Sequence, residues 1–123
     1  MSDALRLGEK ALGPLLDRFP DLVNEVSTGG ATPLHMCGMG KDNQMSTGYI
    51  ISRGGDIEAT DTYGYRPLHR MASNNLATGA RALLEAGADA SVKAGCGGTP
   101  RDIAKQAGAR DVLRVLDEFG VRK

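Results

Sequence analysis

The sequence predicts an all-α repeat protein, built as a stack of similar helical units. The segment 32–35, TPLH, returns as RPLH at 66–69 and as TPRD at 99–102, after intervals of 34 and 33 residues. A second motif, GGDI at 54–57, returns as GADA at 87–90, again after 33 residues. Two motifs that repeat in phase at this period are typical of supersecondary units that bury their apolar faces only by stacking on one another.

The N-terminal segment 1–26 differs from the rest but is also interpreted as helical. Residues 2–12 are weakly amphipathic, and 14–20 form a predicted short helix between two prolines. We interpret 1–26 as a degenerate N-terminal capping repeat, because a terminal repeat faces solvent on one side. This end position also predicts that truncating Leu5 costs clearly less stability than truncating a central leucine such as Leu83.

The remainder divides into the repeats 27–59 and 60–92 and a C-terminal capping repeat, 93–123, so that 1–123 is one domain. Each repeat is predicted to contain a short helix, a loop and a second helix. The first helix opens where a hydroxyl N-cap such as Thr32 precedes a proline that occupies the first helical position.

Two departures from the pattern carry local predictions. Arg66 replaces the capping threonine, which predicts a helix start with one amide left unsatisfied, so that Arg66→Thr raises stability. The interval of 34 residues contains one extra residue, which we assign to the inter-helix loop near 41–43, where insertions are tolerated.

Composition and charge exclude several classes of function. Lys plus Arg and Asp plus Glu number 15 each, so no basic field is available for nucleic acid or an anionic membrane. Apolar runs are too short for a spanning helix, and the first residues show no signal peptide. The two cysteines have neither metal nor redox spacing, which favours a reducing, intracellular setting, cytoplasmic by default, and no cofactor.

The repeated residues resemble the ankyrin repeat family, whose period is 33 and whose first helix opens T-P-L-H-x-A. TPLHMC at 32–37 matches this opening and RPLHRMA at 66–72 matches it more loosely, while LLEAGAD at 83–89 matches the family's repeat ending. The resemblance covers roughly residues 24–120. It implies a solenoid of stacked antiparallel helix pairs with β-hairpin-like turns, which binds proteins through the hairpin tips and the concave face of the first helices.

The histidines and acidic residues are interpreted as structural. His35 and His69 occupy the position that the family uses for hydrogen bonds within and between repeats. Asp56 and Asp89 occupy equivalent positions in successive repeats, in turns where the Asp side chain accepts a hydrogen bond from the backbone nearby. We therefore predict no catalytic residues, no metal site and no enzymatic activity.

The two cysteines receive different interpretations. Cys37 stands where the family prefers Ala, so it is predicted to be a small buried hydrophobe. Cys96 lies among glycines in a turn, where we expect it to be exposed, and it is the candidate for a reactive thiol.

An unusual cluster of aromatic and basic residues marks one predicted tip. Tyr63 and Tyr65 flank Gly64, and Arg70 replaces a usual Leu on the first helix. Tyr and Arg are enriched in interface hot spots. The predicted partner-binding surface, formed by tips and first helices, comprises Thr28, Ala31, Met39, Thr62, Tyr63, Tyr65, Arg70, Ser73, Asn74, Cys96, Gly98 and Gln106.

The leading hypothesis is a non-catalytic protein-interaction module, either a small protein or a domain of a larger one. We expect a monomer that binds an unidentified protein and neither nucleic acid nor membrane. The alternative is a regulatory or targeting subunit of an enzyme complex, with Cys96 as a redox-sensitive contact. A third hypothesis is an enzyme in its own right. Identification of copurifying proteins discriminates between the first two.

Overall fold

The computed structural model describes residues 5, 7–26, 30–95 and 97–119. Helices dominate this part of the chain, and no strand occurs within it. The helices are α1 (Glu9–Arg18), a 3₁₀ helix (Pro20–Asn24), α2 (Pro33–Cys37), α3 (Lys41–Gln44), α4 (Thr47–Ser52), α5 (Pro67–Ser73), α6 (Ala77–Glu85), α7 (Pro100–Ala107) and α8 (Arg110–Glu118).

The repeats stack helix on helix in two layers. The first helices α2, α5 and α7 pack in succession, and the second helices α4, α6 and α8 form the other layer. Each pair is joined by a short connection, as in α5–α6 and α7–α8. The predicted all-α repeat fold is therefore confirmed.

Each first helix begins at the proline that the sequence indicated, with a different cap before it. Thr99 and Asp102 form a reciprocal capping box, in which the Asp102 N–H donates to Thr99 Oγ1 at 3.3 Å and the Thr99 N–H donates to Asp102 Oδ2 at 3.2 Å. At Arg66 the predicted unsatisfied amide is wrong, because the His69 N–H donates to the Arg66 carbonyl at 3.0 Å. The Arg66 N–H in turn donates to His69 Nδ1 at 3.0 Å.

The extra residue near 41–43 lies between the helices of its repeat as predicted, but in a helix and not in a loop. Helix α3 forms one turn, closed by a bond from the Gln44 N–H to the Gly40 carbonyl at 3.1 Å. The Gln44 side chain then accepts the Gly79 N–H at 3.0 Å, so this turn also links two repeats.

The core is aliphatic and continues through the N-terminal segment. Leu5 and Leu12 are 0% exposed, as are Ile50 and Leu83 in the following repeats. Ser46 Oγ donates to the Leu5 carbonyl at 2.5 Å, which ties the segment to the second repeat. The complete burial of Leu5 argues against the expectation that its truncation costs clearly less stability than truncation of Leu83.

Turns project between the repeats and contact one another through backbone atoms. In the turn 61–65 the Asp61 N–H donates to the Tyr65 carbonyl at 2.9 Å. In the next repeat the Gly95 N–H donates across to the Gly64 carbonyl at 3.2 Å. A Cβ on Gly95 would lie 2.0 Å from the Tyr63 carbonyl oxygen, so only glycine permits this close approach.

Candidate functional site

The buried carboxylate of Asp61 organises the turn 61–65 from within. Its Oδ1 accepts the backbone N–H groups of Tyr63 and Tyr65 at 2.9 and 3.0 Å, while Oδ2 accepts Arg70 Nη2 at 2.6 Å and Nε at 3.1 Å. Burial raises the pKa of Asp61, but the bonds from Arg70 and Tyr65 outweigh it and leave the pKa below its ordinary value. The turn is thus held around an ionised carboxylate.

The His35 imidazole supports the same turn from the preceding repeat. Its Nδ1 lies 3.1 Å from the Thr32 nitrogen and its Nε2 lies 2.7 Å from the Tyr65 carbonyl oxygen. Because a backbone N–H only donates, Nδ1 is the acceptor and the proton resides on Nε2. Burial lowers the pKa of His35 and keeps the ring neutral.

His69 repeats this arrangement one unit later. Its Nδ1 accepts the Arg66 N–H, and its Nε2 lies 2.8 Å from the Val92 carbonyl oxygen. Burial again lowers its pKa. His35 makes the hydrogen bonds within and between repeats that the resemblance implied, whereas both partners of His69 lie within the predicted repeat 60–92.

The two tyrosines of the turn have different environments. Tyr63 is 67% exposed, whereas Tyr65 is half-buried and packs against the core. The Arg70 guanidinium lies 4.3 Å from the centre of the Tyr65 ring, in addition to its ion pair with Asp61. Arg70, predicted as a projecting contact residue, is therefore committed largely to holding the turn, and only 26% of its side chain is exposed.

A shallow groove runs between the first helices α5 and α7. It brings together four predicted residues, Tyr65, Arg70, Ser73 and Gln106. Two further residues of α7 complete the lining, Ile103 and Ala107. The sequence did not indicate Ile103 and Ala107 as contact residues, because apolar residues at helical spacing are typical of a buried core.

A second recess adjoins the groove at Gln106, which lines both. The rest of its lining is formed by Gly97, Gly98, Asp102 and Lys105. Of the predicted contact residues, Gly98 and Gln106 line this second recess.

The other predicted contact residues do not form one cluster with these. Met39, Thr62 and Asn74 are exposed, and Asn74 Nδ2 donates to the Gly38 carbonyl at 2.6 Å. Ala31 is only 8% exposed, which corrects its assignment to the contact surface. Its neighbour Gly30 lies against the backbone of Thr62, so the next repeat covers this position.

Two predicted residues, Thr28 and Cys96, lie outside the described residues. The predictions of a contact at Thr28 and of a redox-sensitive Cys96 therefore stay predictions. The alternative function, a regulatory or targeting subunit of an enzyme complex with Cys96 as a redox-sensitive contact, also stays a prediction.

The described part of the chain offers neither a reactive thiol nor a metal-binding cluster outside the turn and the groove. Cys37 is 0% exposed, and burial raises the pKa of its thiol to about 12, so the predicted small buried hydrophobe is confirmed. No group of three His, Cys, Asp or Glu with metal-binding geometry occurs among the described residues. None of the described helices has the length and apolar character required to span a bilayer.

Comparison with known proteins supports the repeat assignment. A family model for ankyrin repeats (many copies) matches residues 50–104. The potassium channel AKT3 of Oryza sativa subsp. japonica is 35% identical over 88 residues, which cover 71% of this chain and 10% of the channel. The chain thus matches only about a tenth of that relative's length. The matched repeats and the stacked helix pairs with their projecting turns together identify the chain as a member of the ankyrin repeat family.

Proposed function

We propose that the chain is a non-catalytic protein-interaction module that binds a partner through the turn 61–65 and the groove between α5 and α7. Ankyrin repeats are generally protein–protein interaction modules. The observation that carries the finer assignment is the contrast at Tyr63, whose side chain is 67% exposed while the backbone on both sides of it is fixed. We also propose the repeat boundaries 1–26, 27–59, 60–92 and 93–123.

The rigidity of the turn favours a binding role for Tyr63. Ordering a flexible loop on binding costs free energy, and a preorganised loop avoids that cost. Asp61 and His35 hold the backbone of the turn, so the point from which the Tyr63 side chain projects is already fixed. Exposed Tyr in such a setting is a typical hot-spot residue.

The groove supplies a complementary surface beside the tyrosine. Its volume is about 360 Å³, near the lower end of ordinary small-molecule pockets, and it is open to solvent. Ile103 and Ala107 give it an apolar part, and Ser73 and Gln106 offer hydrogen-bonding groups. This combination suits side chains of a protein partner better than it suits an enclosed small molecule.

The test begins with identification of the partner by copurification with the full chain. The partner is then titrated against Tyr63→Ala and Gln106→Ala, with Arg114→Ala on the exposed side of α8 as the matched control. We expect Tyr63→Ala to weaken binding by at least about 1 kcal/mol, roughly fivefold in Kd, with no loss of stability.

The control should bind like the wild type. Normal affinity for Tyr63→Ala and Gln106→Ala together with a loss at Arg114→Ala would place the interface on the second helices and reject the proposal. The same titration with Tyr65→Ala is less direct, because Tyr65 also stacks on Arg70.

A further inference from the structure

The His35 ring connects two repeats through its two nitrogens. Nδ1 accepts the Thr32 N–H at 3.1 Å and lies 2.9 Å from Thr32 Oγ1, both within its own repeat. Nε2 donates to the Tyr65 carbonyl, which belongs to the turn 61–65 of the next repeat. His35 is 0% exposed, so this link is made in the interior.

A second proton on this ring is incompatible with the observed arrangement. A proton taken from solvent by Nδ1 would set an N–H donor against the Thr32 N–H donor, at a nitrogen–nitrogen distance of 3.1 Å. The Thr32 hydroxyl can rotate to accept, but the backbone N–H cannot. The ring must therefore turn or withdraw from the Thr32 N–H, and such a movement strains the bond from Nε2 to the Tyr65 carbonyl.

The charges that face His35 do not remove this conflict. Burial has the largest effect on the His35 pKa and favours the neutral ring, as does Arg70. The bond to the Tyr65 carbonyl favours the protonated ring, as do Asp61 and Asp56, but none of the three supplies an acceptor for a proton on Nδ1. The Asp61 carboxylate is already occupied by Arg70 and by two backbone amides. It is therefore not available as a counter-ion without release of the turn that it organises.

The turn can detach without dissolving its own hydrogen bonds. The Asp61 N–H also donates to the Tyr65 carbonyl, and the Gly64 N–H donates to the Asp61 carbonyl at 3.0 Å. These internal bonds do not involve His35. Local opening of a projecting turn costs less free energy than unfolding of the packed helices.

We propose that protonation of His35 in mild acid releases the turn 61–65 from the preceding repeat while the helices stay folded, and so weakens binding at Tyr63. The effect on binding rests on the proposed function, whereas the release of the turn does not. His69 supplies a matched control, since its Nε2 bonds Val92, which lies outside the turn.

The test is an NMR titration of the full chain from pH 7.5 to 5.0. The His35 imidazole signal gives the protonation midpoint, and the ¹³C shift of the Tyr65 carbonyl reports the bond to Nε2. We expect both to change with one midpoint. Hydrogen-exchange protection of the Gly95 N–H, which bonds Gly64, should fall about tenfold or more over the same range, and by more than the protection of the core Leu83 N–H, which falls only as far as the overall stability does.

Variants separate local release from general unfolding. His35→Gln should abolish the pH dependence at Tyr65, and His69→Gln should leave it intact. A Tyr65 carbonyl shift that does not follow the His35 midpoint would overturn the inference, as would a loss of protection at Leu83 as large as the loss at Gly95. If the turn is released and partner affinity stays constant, the release stands and the binding surface of the proposed function is rejected. Should His35→Gln fail to fold, the wild-type and His69→Gln titrations decide the question.

Discussion

Arg70 donates two hydrogen bonds to a single oxygen of Asp61, and the Asp61 side chain is only 2% exposed. Removal of the carboxylate leaves this guanidinium unpaired and deprives two backbone amides of their acceptor. We therefore expect Asp61→Ala to lower the free energy of unfolding by at least about 2 kcal/mol.

Chemical denaturation measures this effect. Asp61→Asn retains an acceptor for the amides and loses only the charge, so it should cost about half as much. Asp42→Ala, at an exposed carboxylate, is the matched control and should change stability by less than about 0.5 kcal/mol. Equal costs for Asp61→Asn and Asp61→Ala would show that the two amide bonds contribute nothing.

The two buried histidines predict a loss of stability in mild acid. In the unfolded chain their pKa is about 6.5, and in the folded chain burial lowers it. Between these values the unfolded state binds more protons, so the free energy of unfolding falls as the pH falls. The stability that the two neutral rings contribute is fully present above about pH 6.5. It is lost as the pH falls towards their folded-state pKa values, with a slope of at most about 1.4 kcal/mol per pH unit for each histidine.

Urea denaturation at a series of pH values from 7.5 to 5.0 measures this slope. Because His69→Gln removes one of the two titrating groups, the variant should retain about half of the wild-type dependence. A wild-type stability that is constant or rises as the pH falls would contradict the assignment of two neutral rings.

Leu5 in the N-terminal segment and the central Leu83 should contribute equally to stability. Leu5 and Leu83 are each 0% exposed, so Leu5→Ala and Leu83→Ala should each cost about 2–5 kcal/mol. Leu7 is 65% exposed and provides the control, with an expected change below about 0.5 kcal/mol on substitution by Ala. Denaturation curves in which Leu5→Ala resembles Leu7→Ala would mean that the N-terminal segment is not part of the cooperative core.

Two substitutions at Arg66 distinguish the stability contributed by its ion pair with Glu58 from the stability contributed by a capping hydroxyl. Arg66 Nη1 lies 2.7 Å from Glu58 Oε2, so both Arg66→Thr and Arg66→Ala lose this partly exposed pair, which is worth at most about 1 kcal/mol. Threonine additionally offers the hydroxyl that Thr32 directs at His35. Arg66→Thr should therefore be more stable than Arg66→Ala by about 0.5–2 kcal/mol.

The wild type should then lie close to Arg66→Thr, since the lost ion pair offsets the gained cap. The simple gain expected for Arg66→Thr from the sequence alone is thus revised. Identical denaturation midpoints for the Thr and Ala variants would show that the hydroxyl has no role at this helix start.

We expect opposite changes in stability when two glycines, Gly95 and Gly48, are replaced by alanine. Gly95→Ala places a Cβ against the Tyr63 carbonyl and should cost about 1–3 kcal/mol through displacement of the turn. Gly48 lies exposed in α4 with open space around its Cβ position, so Gly48→Ala should stabilise the protein by about 0.5–1 kcal/mol. Thermal denaturation of the pair tests both signs, and destabilisation by Gly48→Ala would contradict them.

The local rules of the sequence predicted the helix starts well. Pro33, Pro67 and Pro100 each begin a first helix, because proline at the first helical position is encoded within a few residues. The periodic spacing likewise indicated which helices form pairs. These features depend on short-range chemistry that one sequence displays directly.

The candidate site was harder to predict, because its contacts join residues that are far apart in the pattern. From the sequence, Arg70 is predicted to project into solvent. In the structure it pairs with Asp61, which lies nine residues earlier in a turn. Ala31 reads as a tip residue, but the following repeat covers it. Ile103 was assigned to the core alone, although its edge also lines the groove.

The exposed ring at position 63 has a consequence for how specificity changes in this molecule. The turn is held by Asp61, by His35 and by backbone contact with Gly95, and Tyr63 contributes to this through its backbone N–H, which donates to Asp61. Saturation mutagenesis at position 63 would then alter what the surface recognises while the variants fold, with the exception of proline, which lacks the N–H that donates to Asp61. Partner choice can accordingly diversify, in nature or in a selection experiment, through one codon that the stability of the stack does not constrain.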